Sequence, residues 1–188
     1  MRDSSDAQNP AQVEIVHQGG IKLPDCGKII EAGAKELLKV YDITIPYYDN
    51  IRGFLFVDPN STDGARFWVK YGHASQALRS EARTQAYVFA ELSRMNPKTR
   101  GRVRVPQVHC FFEAEIDGNE LGFIVMEYVT GIAVRKIVNE HQSVVDGYYV
   151  DNEKTKPFKD WFVDAICLLL TLQPPPGTTP GPVGGGRI

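Results

Sequence analysis

The chain has 188 residues, 21 Lys and Arg against 23 Asp and Glu, and three cysteines. That length holds one ordinary domain or slightly more, and a net charge of −2 argues against a generic nucleic-acid binder, whose affinity rests on phosphate neutralisation by clustered Lys and Arg. Cys26, Cys110 and Cys167 are far apart and match no zinc spacing, which argues against a disulfide scaffold and a structural zinc site.

Residues 1–20 are polar, carry Gly19-Gly20 and lack the apolar run of a secretory signal, so they read as a flexible lead-in. Asp25 then caps a helix with Ile29, Ile30, Ala34, Leu37 and Leu38 on one side. Two short β-like runs follow, Val40–Pro46 and Ile51–Val57, joined by a turn at Asp49-Asn50. A third, Ala65–Tyr71, reads ARFWVKY. Ser75–Met95 is the clearest helix: Leu78, Ala82, Ala86, Phe89 and Leu92 recur at helical spacing, and Asn96-Pro97 ends it.

An Arg-rich loop leads to the strand Val105–Phe112. The turn Asp117-Gly118-Asn119 then opens Leu121–Val129, apolar enough for a central strand. A short helix is expected over 132–141 and a loop from Ser143 to Pro157. Phe158–Leu172 reads as an apolar helix bearing Trp161, Phe162, Ala165, Ile166, Leu169 and Leu172. The longest apolar stretch, Ala165 to Leu170, is far short of the roughly 20 residues that span a bilayer. Residues 173–188 form a Pro/Gly-rich tail that continues no helix. The fold class expected is α+β: a five-stranded antiparallel sheet with helices gathered on one side.

Lys70 carries the chemistry. Its neighbours Phe67, Trp68, Val69 and Tyr71 are apolar or aromatic, so the ammonium needs an anionic partner. Glu81, eleven residues on in the amphipathic helix, is the candidate for it. A strand lysine paired with a glutamate of the next helix is how kinase folds hold the lysine against ATP phosphates. The plainer alternative is a surface lysine and a solvated glutamate. His17, His73, His109 and His141 share no metal spacing, and His109 reads as a packed histidine, so no metal is expected. The cations Arg94, Lys98, Arg100, Arg102 and Arg104 read as a solvated loop. Gly184-Gly185-Gly186 lacks the Gly-Lys-Ser/Thr of a phosphate loop.

The ordered set FWVKYG, LRSEARTQAYVF, VRVPQVHCFF and FIVMEYVTG resembles the N-terminal lobe of fungal aminoglycoside-phosphotransferase-like proteins of the protein-kinase-like superfamily. The tail PPPGTTPGPVGGGRI also looks like a segment of that family. The resemblance runs from about Ile21 onward. It implies an N-lobe at 21–131 and a helical segment after the hinge at 132–172. It further implies that Lys70 binds phosphate, that Glu81 is its partner, and that Met126, Glu127 and Tyr128 form an adenine hinge. The implied ligand is ATP or a small molecule, held weakly.

Two departures matter. The first hairpin has no G-x-G-x-x-G, and no His-x-Asp catalytic loop occurs in these residues. The reading is therefore a phosphotransferase-like lobe truncated before its catalytic loop, cytoplasmic and without catalytic competence. A protein-interaction module, dimerising or docking a partner through the apolar helix, is a rival from another class. An enzyme that reuses the scaffold is a third. Neither membrane nor nucleic acid is an expected partner.

Overall fold

The computed structural model describes residues 13–15, 23–38, 52–62, 64–73, 75–131, 143–145, 148–150, 153 and 155–173. Its elements run β1 (Val13–Ile15), α1 (Cys26–Leu38), β2 (Arg52–Val57), β3 (Arg66–Gly72), α2 (Ser75–Arg94) and a single turn, α3 (Pro97–Arg100). The order continues with β4 (Val108–Ile116), β5 (Asn119–Glu127), β6 (Ser143–Val145), β7 (Tyr148–Val150) and α4 (Lys156–Leu170). The fold class is α+β. Five strands form one antiparallel sheet in the order β1-β4-β5-β3-β2.

Four of the five expected strands are present in this sheet, shifted at their ends by a few residues. The fifth member is β1, inside the segment read as a flexible lead-in. Val13, Glu14 and Ile15 pair with Phe112, Phe111 and Cys110, and Glu14 takes two hydrogen bonds from Arg83, at 2.8 and 3.1 Å. Backbone pairing and a charge partner on α2 hold a three-residue run that has too little periodicity to be read. The expected strand Val40–Pro46 and the helix at 132–141 lie outside the described residues, as does the tail beyond 173. The expected loop from Ser143 contains the antiparallel pair β6–β7. Asp146-Gly147, between two β-branched or aromatic runs, was the available hairpin signal.

The helices do not gather on one side. On one face of the sheet α1 contributes Ile29 to a core with Phe54, Tyr71, Phe112 and Phe123. On the other, Leu78 and Ala82 of α2 pack on Val108, Phe111, Ile124 and Met126. The physical reason is the composition of β4 and β5: Val108–Phe112 and Leu121–Met126 are buried without interruption, and a strand apolar on both faces needs cover on both. A register shift between Val108 and Cys110 sends these residues, two apart in sequence, to opposite faces. That is the effect of one extra residue in a strand.

Local signals set the element ends. Asp25 Oδ1 accepts from the Gly27 amide at 2.8 Å, the capping bond expected of it. The β4–β5 hairpin turns at Asp117 (φ 52°) and Gly118 (φ 77°), the positive-φ pair that matches the twist of the strands it joins. α2 starts almost directly after β3 and lies across β5 and β4. That placement aims the first turns of α2 at Lys70.

Candidate functional site

Lys70 stands on β3 opposite Gly53 of β2 and Ile124 of β5. Alternation along the strand turns Phe67, Val69 and Tyr71 into the α1-side core and leaves Arg66, Trp68 and Lys70 for the α2 side. There Lys70 Nζ donates to both carboxylate oxygens of Glu81, at 2.6 and 2.7 Å. The two side chains keep 28% and 39% of their surface exposed. Such a half-wet pair adds on the order of 0.2–1 kcal/mol to stability, so what it chiefly achieves is position. The Glu81 carboxylate fixes the ammonium at the open margin of α2.

The remainder of α2 is clamped around this pair. Arg79 Nη2 donates to Glu113 at 2.8 Å, and its guanidinium carbon lies 5.2 Å from the Phe111 ring centre. Arg83 binds Glu14, whose hydrogen bond raises the guanidinium pKa further. Gln85 Nε2 donates to the Pro106 carbonyl at 2.8 Å and lies 3.6 Å from Met126 Sδ. These bonds tie the helix to β1, β4 and the end of β5, so Glu81 is held from three directions.

The three expected hinge residues behave differently from one another. Met126 pairs with Trp68 across the strands and is buried under α2. Glu127 ends β5; its amide donates to the Gln107 carbonyl at 2.8 Å, and its carboxylate accepts from Arg104 at 3.2 Å and from the Gln107 amide at 3.3 Å. Its register partner is Phe67, so its side chain leaves from the face opposite Lys70. Tyr128 lies just past the strand, half-buried. Of the first two, Met126 shares the Lys70 face and Glu127 does not.

Trp68 was not singled out by the sequence. Its indole lies across the backbone of Gly53: a methyl group built there would stand 2.6–2.8 Å from Cζ2, Cε2 and Nε1. Trp68 faces Leu55, and with Val57 these make a shelf 37–50% exposed beside Lys70. The signal available in sequence was Trp at i−2 from the lysine, on the same side of an alternating strand.

Elsewhere, His109 is buried and packs edge-on against Phe67, ring centres 5.5 Å apart, as a packed histidine does. The Arg-rich segment borders a groove of about 570 Å³ with α4, where Arg102 sits 5.5 Å from the Trp161 ring centre. That groove shares no lining residue with the Lys70 site. Among the described residues no helix is long and apolar enough to cross a membrane. No protein-family model, curated protein or solved structure matches this chain.

Proposed function

We propose that this chain is a kinase-like N-terminal lobe, similar to those of aminoglycoside-phosphotransferase-like proteins, and binds a nucleotide weakly beside Lys70 and the end of β5. The observation that carries this reading is the two-point Lys70–Glu81 bond between a sheet strand and the helix that follows it. An ammonium fixed by one carboxylate keeps a third N–H for an anion, and phosphate oxygens are the natural acceptors. The strand order around the pair supports the same reading. No catalytic base is assigned within these residues, so the role proposed is binding.

The test is calorimetry with ATP on Lys70→Met. Loss of a charge-assisted bond to phosphate is expected to weaken binding by about 1.5–3 kcal/mol, while unfolding stability changes by less than about 1 kcal/mol. Equal affinity of variant and wild type would reject the site.

A second reading rests on α4. Trp161, Phe162, Val163, Ile166 and Leu170 are 41–79% exposed, an unusual amount of apolar surface on one helix. A second copy of the chain, closed about a two-fold axis, would cover it. Sedimentation should then show a concentration-dependent dimer that Phe162→Glu converts to monomer. A monomer at all concentrations would exclude it.

A further inference from the structure

We propose that the groove between α4 and the Arg-rich segment after α2 is a binding site for a small organic monocarboxylate with an apolar body. The inference is independent of the nucleotide reading, since no residue lining the groove takes part in the Lys70 site. Its volume, about 570 Å³, falls in the range of small-molecule sites. Two chain segments build it. Trp161, Ala165 and Leu168 of α4 line it, and spacings of four and three residues put them on one helix face. Val103 adds to this apolar lining from the facing segment. Gly101, at φ 60°, turns the chain between Arg100 and Arg102, and both arginines line the groove.

The charges select the ligand. Arg104 is engaged by Glu127 at 3.2 Å. Arg102 meets no carboxylate among the described residues; its guanidinium carbon is held over the Trp161 ring, 5.5 Å from the centre. An arginine ordered by an aromatic face keeps its N–H fork for a two-point bond to a carboxylate. Arg100 supplies a second positive charge: Nη1 donates to the Leu92 carbonyl at 3.5 Å, and the buried Nε has no partner among the described residues. Asp164 is the one acidic residue of the lining. Two guanidiniums against one carboxylate favour an anion, and Asp164 repels a dianion about twice as strongly as a monoanion. A phosphate monoester, close to dianionic at neutral pH, is therefore disfavoured against a monocarboxylate. Trp161 is 52% exposed, so an aryl or alkyl body gains by covering it.

The experiment uses the full chain with Trp68→Phe, which leaves Trp161 as the remaining one of the two tryptophans. The probes are 4-phenylbutanoate, its alcohol 4-phenylbutan-1-ol, its amine 4-phenylbutylamine, and acetate, titrated by fluorescence and calorimetry. 4-Phenylbutanoate should change Trp161 emission saturably, and the alcohol, the amine and acetate should each bind more weakly. Arg102→Met should weaken 4-phenylbutanoate roughly 10-fold, the lower end for losing a hydrogen bond to a charged group, and leave the alcohol unchanged. Asp164→Asn should tighten 4-phenylbutanoate roughly 2- to 5-fold by removing a like charge. A gain of affinity cannot come from a folding defect, so this variant decides the matter if Arg102→Met proves unstable. Equal binding of acid and alcohol, preference for the amine, or unchanged affinity in both variants would reject the carboxylate site. So would the absence of saturable 4-phenylbutanoate binding into the millimolar range.

Discussion

Phe123→Ala is expected to lower the unfolding free energy by about 3–5 kcal/mol, the range for truncating a buried phenylalanine. Phe123 is fully buried at the centre of an aromatic layer. Its ring stacks on Phe112 at 4.9 Å and 4° and on Tyr71 at 5.8 Å and 14°, and Phe54 meets Tyr71 edge-on at 5.7 Å. Four strands and the underside of α1 converge on this layer, so a cavity there has no side from which it can collapse. Since a domain is stable by only about 5–15 kcal/mol in all, much of that margin would go. Urea unfolding should show the midpoint shifted at unchanged slope. Leu170→Ala, at a position 79% exposed, should change stability by less than about 0.5 kcal/mol. A loss below 1 kcal/mol for Phe123→Ala would show that the aromatic layer is not the core.

Stability should also fall at alkaline pH through Cys110. Burial pushes this thiol up to about 12 from an ordinary value of 9.0, with the Cys26 thiolate adding to the shift. In the unfolded chain the thiol loses its proton near its ordinary value, whereas the folded chain retains it. Between these limits the unfolded state binds fewer protons, so stability declines as pH rises, by up to about 1.4 kcal/mol per unit from this group. Below the ordinary value the contribution is constant. Urea midpoints for wild type and Cys110→Ala, compared from pH 8 to 10.5, should converge as pH rises, because the variant lacks the titrating group. Parallel curves would show that the thiol ionises without unfolding. Cys167, which is exposed, should react with a thiol reagent in the native state, and Cys110 only after unfolding.

The Lys70–Glu81 pair was legible because both residues belong to local patterns. An alternating strand fixes which side Lys70 leaves from, and α2 begins three residues after β3 ends, so the connection has little freedom. The two-sided burial of β4 and β5 was half legible. The apolar run Leu121–Met126 says that both faces are covered, but not that α1 takes one and α2 the other. Helices were expected on one side because an amphipathic pattern names the face to be buried and is silent about what buries it.

Periodicity, capping at Asp25, the Asp117-Gly118 turn and the apolar runs determined, by themselves, four sheet strands, three long helices and the α+β class. Each is a short-range preference, written within a few residues of where it acts. Three features were decided only by tertiary structure. Val13–Ile15 becomes a strand because β4, almost a hundred residues later, offers an edge and α2 offers Arg83. Met126 goes under α2 and Glu127 to the opposite face because cross-strand register, with a bulge between Val108 and Cys110, assigns their sides. The Trp68 indole rests over Gly53 because that residue, on another strand, has no side chain to stop it. Contacts between residues distant in the chain depend on register and on empty space, and neither is a property of any one segment.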